Sequence, residues 1–256
     1  MGVVNVTADS FSDGGQFLDE TRAIDQGLRL REEGADLVDV GGESTRPGAA
    51  AVPLDEELRR VIPVVTALVR EGVPVSVDTM KPEVMRAAIE AGCAMVNDVN
   101  AFRAPGAVAA VAGKGVGVCV MHMQGTPATM QAAPQYGDVV AEVAAFLRDR
   151  AKELDAAGVA RDAIVLDPGF GFGKTVQHNI ELFRALPRIA ALGYPVLVGI
   201  SRKRTIGEIT GRPPGERLAG SVAAAVLAVQ NGASLVRVHD VKETVDAMKI
   251  WIALKP

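Results

Sequence analysis

Cysteine is scarce, basic charge is not in surplus and no apolar run is long, and each shortage closes off a class of protein. The two cysteines of the 256-residue chain, Cys93 and Cys119, cannot build a disulfide framework. Each lies in an apolar run, where a buried thiol in a reducing cytoplasm is the expected state. Lys and Arg total 27 against 31 Asp and Glu, a net charge of -4. That leaves no overall basic excess to track a phosphate backbone, so nucleic acid is not an expected partner, although local basic pockets stay open. Arg, Asp, Glu and Gly interrupt every apolar stretch before the roughly 20 residues a membrane helix needs. Met1 runs straight into Val3-Val4-Asn5-Val6, without the basic and apolar regions of a signal peptide. No membrane partner is expected, and the cytoplasm is the expected location.

With 48% hydrophobic and 23% charged residues, the chain buries enough surface to offset its ordering entropy, which excludes disorder. Its length suits one soluble domain over residues 1–256, near the usual size of a (β/α)8 barrel. Eight short β-branched runs recur: Gly2 to Val6, Asp36 to Val40, Val73 to Val77, Ala94 to Asn97, Gly117 to Met121, Ala163 to Leu166, Pro195 to Gly199 and Ser234 to Val238. Continuous apolar runs of this kind are expected of parallel strands buried on both faces. Between them lie helical stretches: Thr21 to Glu33, Asp55 to Arg70, Pro82 to Ala91, Gly106 to Ala112, Val139 to Ala157, Val176 to Leu192, Pro214 to Asn231 and Val241 to Leu254. Gly34, Gly72, Gly92, Gly158, Gly193 and Gly232 stand as helix stop signals before strands. Eight such units without a linker predict a TIM (β/α)8 barrel of parallel strands with its active site at the C-terminal face. An open doubly wound sheet would want a glycine fingerprint after the first strand, and Asn5 to Gly15 is not one.

The strand ends carry the strongest functional signal. In order they offer Asn5, Asp39, Asp78, Asn97 with Asp98, His122, Asp167, Ser201 with Lys203, and Arg237 with His239. In a parallel barrel these positions converge on one opening. Polar residues often end strands merely as helix caps, yet Arg237, Lys203 and several of the carboxylates are not capping choices. The ring divides into an acidic and amide half, suited to a flat heterocycle with an N–C–N edge, and a basic half. An internal salt bridge from Lys203 to Asp78 or Asp167 is the bland alternative to ligand contact. Arg237 and His239, two apart, point to one face and with Asn5 suit a phosphate or diphosphate.

Two other motifs carry less. Gly169-Phe170-Gly171-Phe172-Gly173-Lys174-Thr175 looks like a phosphate loop, but its first required glycine falls on Pro168, which has no N–H to offer. It reads as a tight turn after the sixth strand, with Phe172 free to cover a ligand. Cys119-Val120-Met121-His122 lacks the further ligands a structural zinc needs.

Taken in order, these stretches resemble the bacterial dihydropteroate synthases, members of the pterin-binding enzymes, over essentially the whole chain. The likeness rests on Met1-Gly2-Val3-Val4-Asn5-Val6-Thr7 with Ser10-Phe11-Ser12-Asp13-Gly14-Gly15, and on Asp39-Val40-Gly41-Gly42-Glu43-Ser44-Thr45-Arg46-Pro47-Gly48. It continues through Ser76-Val77-Asp78-Thr79, Asn97-Asp98, Met121-His122-Met123, Leu166-Asp167-Pro168-Gly169, Gly171-Phe172-Gly173-Lys174, Ser201-Arg202-Lys203 and Arg237-Val238-His239-Asp240.

The resemblance implies a transferase of folate biosynthesis that joins 6-hydroxymethyl-7,8-dihydropterin diphosphate to 4-aminobenzoate, with Mg2+ required, and a target of sulfonamides. It implies that Asp78, Asn97, Asp167 and Lys203 hold the pterin, with Met121 packed beside it and Asp39 close by. Asn5 would take the Mg2+, and Arg237 and His239 the diphosphate. Phe11, Ser12 and Asp13 on the first loop and Thr45, Arg46 and Pro47 on the second would close over the site. With Phe172, Lys203 and Arg204 they would form the aminobenzoate slot, and Asp13, Lys203, Arg237 and His239 would carry the chemistry. A homodimer through outer helices is also implied.

Three features depart from the family pattern. Ala8 stands where proline is common, Arg204 where serine often follows Ser-Arg-Lys, and the segment that usually precedes the first strand and covers the barrel floor is lacking. Arg204 would either bind the aminobenzoate carboxylate or point to water. A methyltetrahydrofolate methyltransferase would share the pterin contacts, but would need a corrinoid partner and neither Ser201-Arg202-Lys203 nor Thr45-Arg46-Pro47. A catalytically silent pterin-binding homologue is opposed by the intact loops, and a docking protein without substrate would leave the ring unexplained.

Overall fold

The computed structural model describes residues 1–6, 16–45 and 48–255, the side chains of 16–19 excepted. Each of the eight β-branched runs overlaps a strand, four of them ending one residue short of it: β1 Gly2–Asn5, β2 Val38–Gly41, β3 Val75–Asp78, β4 Met95–Asp98, β5 Gly117–Met121, β6 Ile164–Asp167, β7 Leu197–Val198 and β8 Leu235–Val236. Strands β1 to β6 pair in parallel in chain order, and β7 pairs in parallel with β8. Single parallel bridges join Leu166 to Val196 and Gly2 to Val238. Backbone bonds from Leu166 N to Pro195 O and from Val238 N to Met1 O, both 2.9 Å, complete the circuit. The chain thus closes as a TIM barrel, and closure removes the sheet edges that an open sheet would expose.

The outer layer comprises α1 Gln16–Glu32, α2 Leu54–Arg70, α3 Pro82–Glu90, α4 Ala107–Val111, α5 Val139–Ala156, α6 Val176–Arg184, α7 Leu186–Ala190, α8 Arg204–Thr210, α9 Leu218–Gln230 and α10 Val241–Leu254. All six stop-signal glycines take positive φ, the backbone conformation that lets a helix turn back toward the next strand. Two expectations need correction. The stretch from Val176 to Leu192 is two helices, because Pro187 has no N–H for a continuous ladder and sits in the first turn of α7 instead. The helix α8 lies outside the helical stretches read from the sequence: seven residues with two threonines and a glycine carry no helical period.

Alternation along the strands sorts the side chains. Val38, Val40, Val75, Val77, Val96, Val118, Val120, Ile164 and Leu166 face outward into one core with the helices. Met95, Cys119, Val165 and Leu197 face inward and, with Met1, Leu37 and Leu235, plug the barrel. Truncating one of the fully buried outer leucines, such as Leu147 or Leu154 of α5, would cost about 2–5 kcal/mol. Above the plug the same inward positions turn polar. The register puts Asn5, Gly41, Asp78 and Asn97 side by side on neighbouring strands, and Met121 beside Asp167.

Candidate active site

Asp39 lies inside β2, one level below the strand end, and is fully buried. Its Oδ2 accepts from Arg237 Nε at 2.7 Å and from Asn97 Nδ2 at 3.3 Å, while Arg237 Nη2 donates to Asp78 Oδ2 at 3.1 Å. Arg237 therefore reaches across the mouth from the end of β8 into the acidic wall. The expected division into an acidic half and a basic half is corrected accordingly: a buried carboxylate without a partner costs several kcal/mol, and the long guanidinium supplies one. Asp39 Oδ1 and the neighbouring Ser76 Oγ are buried without a hydrogen-bond partner among the described residues. The wall thus keeps acceptor capacity in reserve. Burial raises the Asp78 pKa, and the Asp39 charge adds to the rise while Arg237 opposes it. For Arg237, burial works against the charge, but Asp39 and Asp78 outweigh it and hold the pKa above its ordinary value.

Asp167 ends β6, buried, with Oδ1 accepting from Gly169 N at 2.7 Å. Burial raises its pKa against the pull of Lys203. Lys203 makes no ion pair within 4 Å of a carboxylate among the described residues. Its ammonium donates to Phe170 O at 2.6 Å and stands 4.5 Å from the centre of the Phe172 ring, a cation–π arrangement. Burial lowers its pKa to about 8, with Asp167 pulling the other way. Met121 packs with Val99, Met123 and Met130, and Phe172 leans on this cluster. His239 has Nδ1 3.1 Å from Ser201 Oγ, and burial together with the Arg237 charge lowers its pKa to about 4. In this state it is a neutral imidazole. Asn5 is exposed at the end of β1.

Asp98 and His122 do not join the ring, because each follows an inward residue and so faces out. Asp98 accepts from Asn100 N and Phe102 N, both at 2.7 Å, and secures a turn in which Ala101 and Phe102 have positive φ. His122 packs against Phe146 and Tyr136 and meets Lys174. Arg204 is exposed and pairs with Glu208 at 3.1 Å. This favours the reading in which it points to water. Thr45 is half-buried on the loop after β2. Phe11, Ser12, Asp13, Arg46 and Pro47 lie outside the described residues.

Two groups escaped the sequence reading. Lys81 bonds both Glu43 and the fully buried Glu57, and Thr79 Oγ1 donates to Glu57 Oε1 at 2.6 Å, which anchors the start of the loop after β2. Lys174, almost wholly buried, donates to His122 O, Gly169 O and Phe172 O. Burial lowers its pKa to about 7.

The profile of the family described as pterin binding enzyme matches residues 1–239. The chain belongs to the pterin-binding enzyme family. Within the family it is about half identical, over nearly its whole length, to dihydropteroate synthases, which are transferases. That of Escherichia coli strain K12 is 50% identical over 251 residues, 98% of this chain and 89% of the relative. The Xanthomonas albilineans dihydropteroate synthase solved with 4-aminobenzoic acid is 58% identical, with a TM-score of 0.94 over 100% of this chain and 92% of that one. The same enzyme in complex with 7,8-dihydropteroate gives 55% identity and a TM-score of 0.91 over the same shares.

Proposed function

We propose that the chain acts as a dihydropteroate synthase, condensing 6-hydroxymethyl-7,8-dihydropterin diphosphate with 4-aminobenzoate to give 7,8-dihydropteroate and diphosphate. The observation that carries this reading is the convergence of Asp39, Asp78, Asn97 and Asp167 under one mouth, beside an ammonium held over an aromatic ring. Acceptors in that number suit the N–H-rich edge of a pterin, each charged hydrogen bond contributing about 1.5–3 kcal/mol. Phe172 and Lys203 give the flat aminobenzoate a face and a cation. Arg237 and His239 take the diphosphate, Arg237 exchanging part of its pairing with Asp78 as the pterin arrives.

The reaction is a mainly dissociative displacement. The methylene C–O bond breaks, its electron pair leaves with diphosphate, and positive charge spreads from the methylene into the ring. The neutral aryl amine then forms the C–N bond and gives up a proton to solvent. Its nitrogen needs placement more than deprotonation, while Arg237 and His239 stabilise the leaving anion and Asp13 the cation.

Mg2+ belongs to the same proposal. Among the described residues no three His, Cys, Asp or Glu side chains converge on a metal position. Asn5 offers one exposed amide oxygen at the mouth. That fits an ion which takes one or two protein oxygens and fills its shell with phosphates and water. The chemistry Mg2+ supplies when bound is neutralisation of the diphosphate charge.

Exposed Ile209 on α8, Leu218 and Leu227 on α9, and Ile250, Ile252 and Leu254 on α10 support a homodimer through these adjoining helices. No described helix is long and apolar enough to cross a membrane. Both cysteines are free and buried, which suits a reducing cytoplasm, and there we place the enzyme. Calorimetry tests the activity reading. The pterin diphosphate should bind on its own, and 4-aminobenzoate should bind more tightly to the pterin-loaded site than to the free chain. A chain that binds no pterin diphosphate refutes it.

A further inference from the structure

The turn after β6 has the look of a phosphate loop, yet its lysine points inward. Five consecutive carbonyls of this turn each accept a hydrogen bond from a side chain. Gly169 O and Phe172 O accept from Lys174 Nζ, both at 3.0 Å. Phe170 O accepts from Lys203 Nζ at 2.6 Å, Gly171 O from Gln131 Nε2 at 2.7 Å and Gly173 O from Tyr136 Oη at 2.8 Å. An ordinary surface turn leaves most such carbonyls to water. Here the donors come from three separate stretches: the segment between β5 and α5, the turn itself and the loop after β7.

Lys174 is the hub. Its ammonium also meets His122 O at 3.2 Å and His122 Nδ1 at 3.0 Å, and none of its four hydrogen-bond partners is a carboxylate. It is 3% exposed. The two loops it joins are in backbone contact, since a Cβ on Gly169 would lie 1.9 Å from His122 O and one on Gly173 would lie 2.6 Å from Gln124 O. Both glycines, and Gly171 between them, have positive φ. A buried cation bonded only to backbone and one imidazole is costly, and the residue it brackets is Phe172, whose ring faces the Lys203 ammonium.

We propose that Lys174 is a positioning residue for the aryl amine substrate. By tying the carbonyls of Gly169 and Phe172 to His122, it holds the Phe172 ring still. It also holds the Phe170 carbonyl against which Lys203 is docked. The amine then meets a preformed slot instead of ordering a mobile turn on binding. The proposal rests on the reading of Phe172 and Lys203 as the aminobenzoate slot, and it gives the lysine of the phosphate-loop look-alike a role in that slot.

The test is Lys174→Met, which keeps the buried alkyl stem and removes the ammonium. The KM for 4-aminobenzoate should rise at least about tenfold, while kcat and the Kd for the pterin diphosphate stay within about threefold of wild type. An unchanged KM overturns the proposal, as does a KM that rises only in step with the pterin Kd, the mark of general loosening. If that variant fails to fold, Tyr136→Phe and Gln131→Ala each remove one carbonyl donor at the rim. Each should raise the aminobenzoate KM about two- to fivefold without moving the pterin Kd, and no rise in either overturns the proposal. A wild type that binds the pterin diphosphate but shows no saturable dependence on 4-aminobenzoate overturns the activity and the proposal together. A saturable wild type with unaffected variants overturns the proposal alone.

Discussion

On one side of the mouth Arg237 is bonded to the carboxylates of Asp39 and Asp78; on the other, Lys174 and Lys203 are bonded to the carbonyls of a single turn. Both sides bury cations, but the partners differ in what they can give up. A side-chain carboxylate can exchange a guanidinium for a ligand N–H by a rotamer change. The carbonyls of the turn belong to the backbone and keep their places whichever side chain they bond. The acidic wall is thus a surface whose pairs re-form around substrate, and the turn is a fixed face against which the second substrate is laid.

The sharpest way to break this contrast is to remove Arg237. Arg237→Met leaves the fully buried Asp39 without its cation, and the loss of stability should be about 3–5 kcal/mol in urea unfolding. A loss below about 1 kcal/mol would mean that the acidic wall does not depend on this pairing. Next in size is Asp167→Asn, which keeps the shape and removes the charge. Pterin diphosphate should bind about tenfold or more weakly by calorimetry, and an unchanged affinity would take Asp167 out of the pterin site.

The fixed face makes a pH prediction. With its pKa lowered to about 8 by burial, Lys203 loses its proton through the mildly alkaline range. The value of kcat/KM for 4-aminobenzoate should fall as pH rises through about 7 to 8, where first Lys174 and then Lys203 lose their protons. Lys203→Arg, which stays protonated, should remove the part of the fall near pH 8 and leave the part near pH 7 that Lys174 causes. A profile flat to about pH 9.5 in the unsubstituted enzyme would show that the ammonium is not required. The smallest effect is expected at Arg204, which belongs to neither wall. Arg204→Ser should alter the aminobenzoate KM by less than about twofold, because the side chain is exposed and its pairing is with Glu208. A larger change would bring it into the slot.

The barrel was legible because parallel strands covered on both faces must be β-branched and apolar, and because a glycine marks where many of the helices stop. Its irregular parts were not. The helix Arg204–Thr210 is too short to show a period, and the break at Pro187 lay inside a stretch with helical composition throughout. Within the site, the polar strand ends disclosed Asp78, Asn97, Asp167 and Arg237. Strict alternation would also have sent Asp98 and His122 outward, since each follows an inward residue. The Asp39–Arg237 pair was hidden because it crosses the mouth from the last strand to the second, and which carboxylate the long guanidinium meets depends on its rotamer, which no sequence pattern marks. Lys174 was hidden for a different reason: its partners are mostly backbone carbonyls, which every residue has and no sequence pattern marks.

The most direct measurement is diphosphate release with both substrates and Mg2+ present. One diphosphate per 7,8-dihydropteroate, and none when 4-aminobenzoate is withheld, is the expected result. Release that ignores 4-aminobenzoate, or no release from a chain that binds both compounds, would contradict the account.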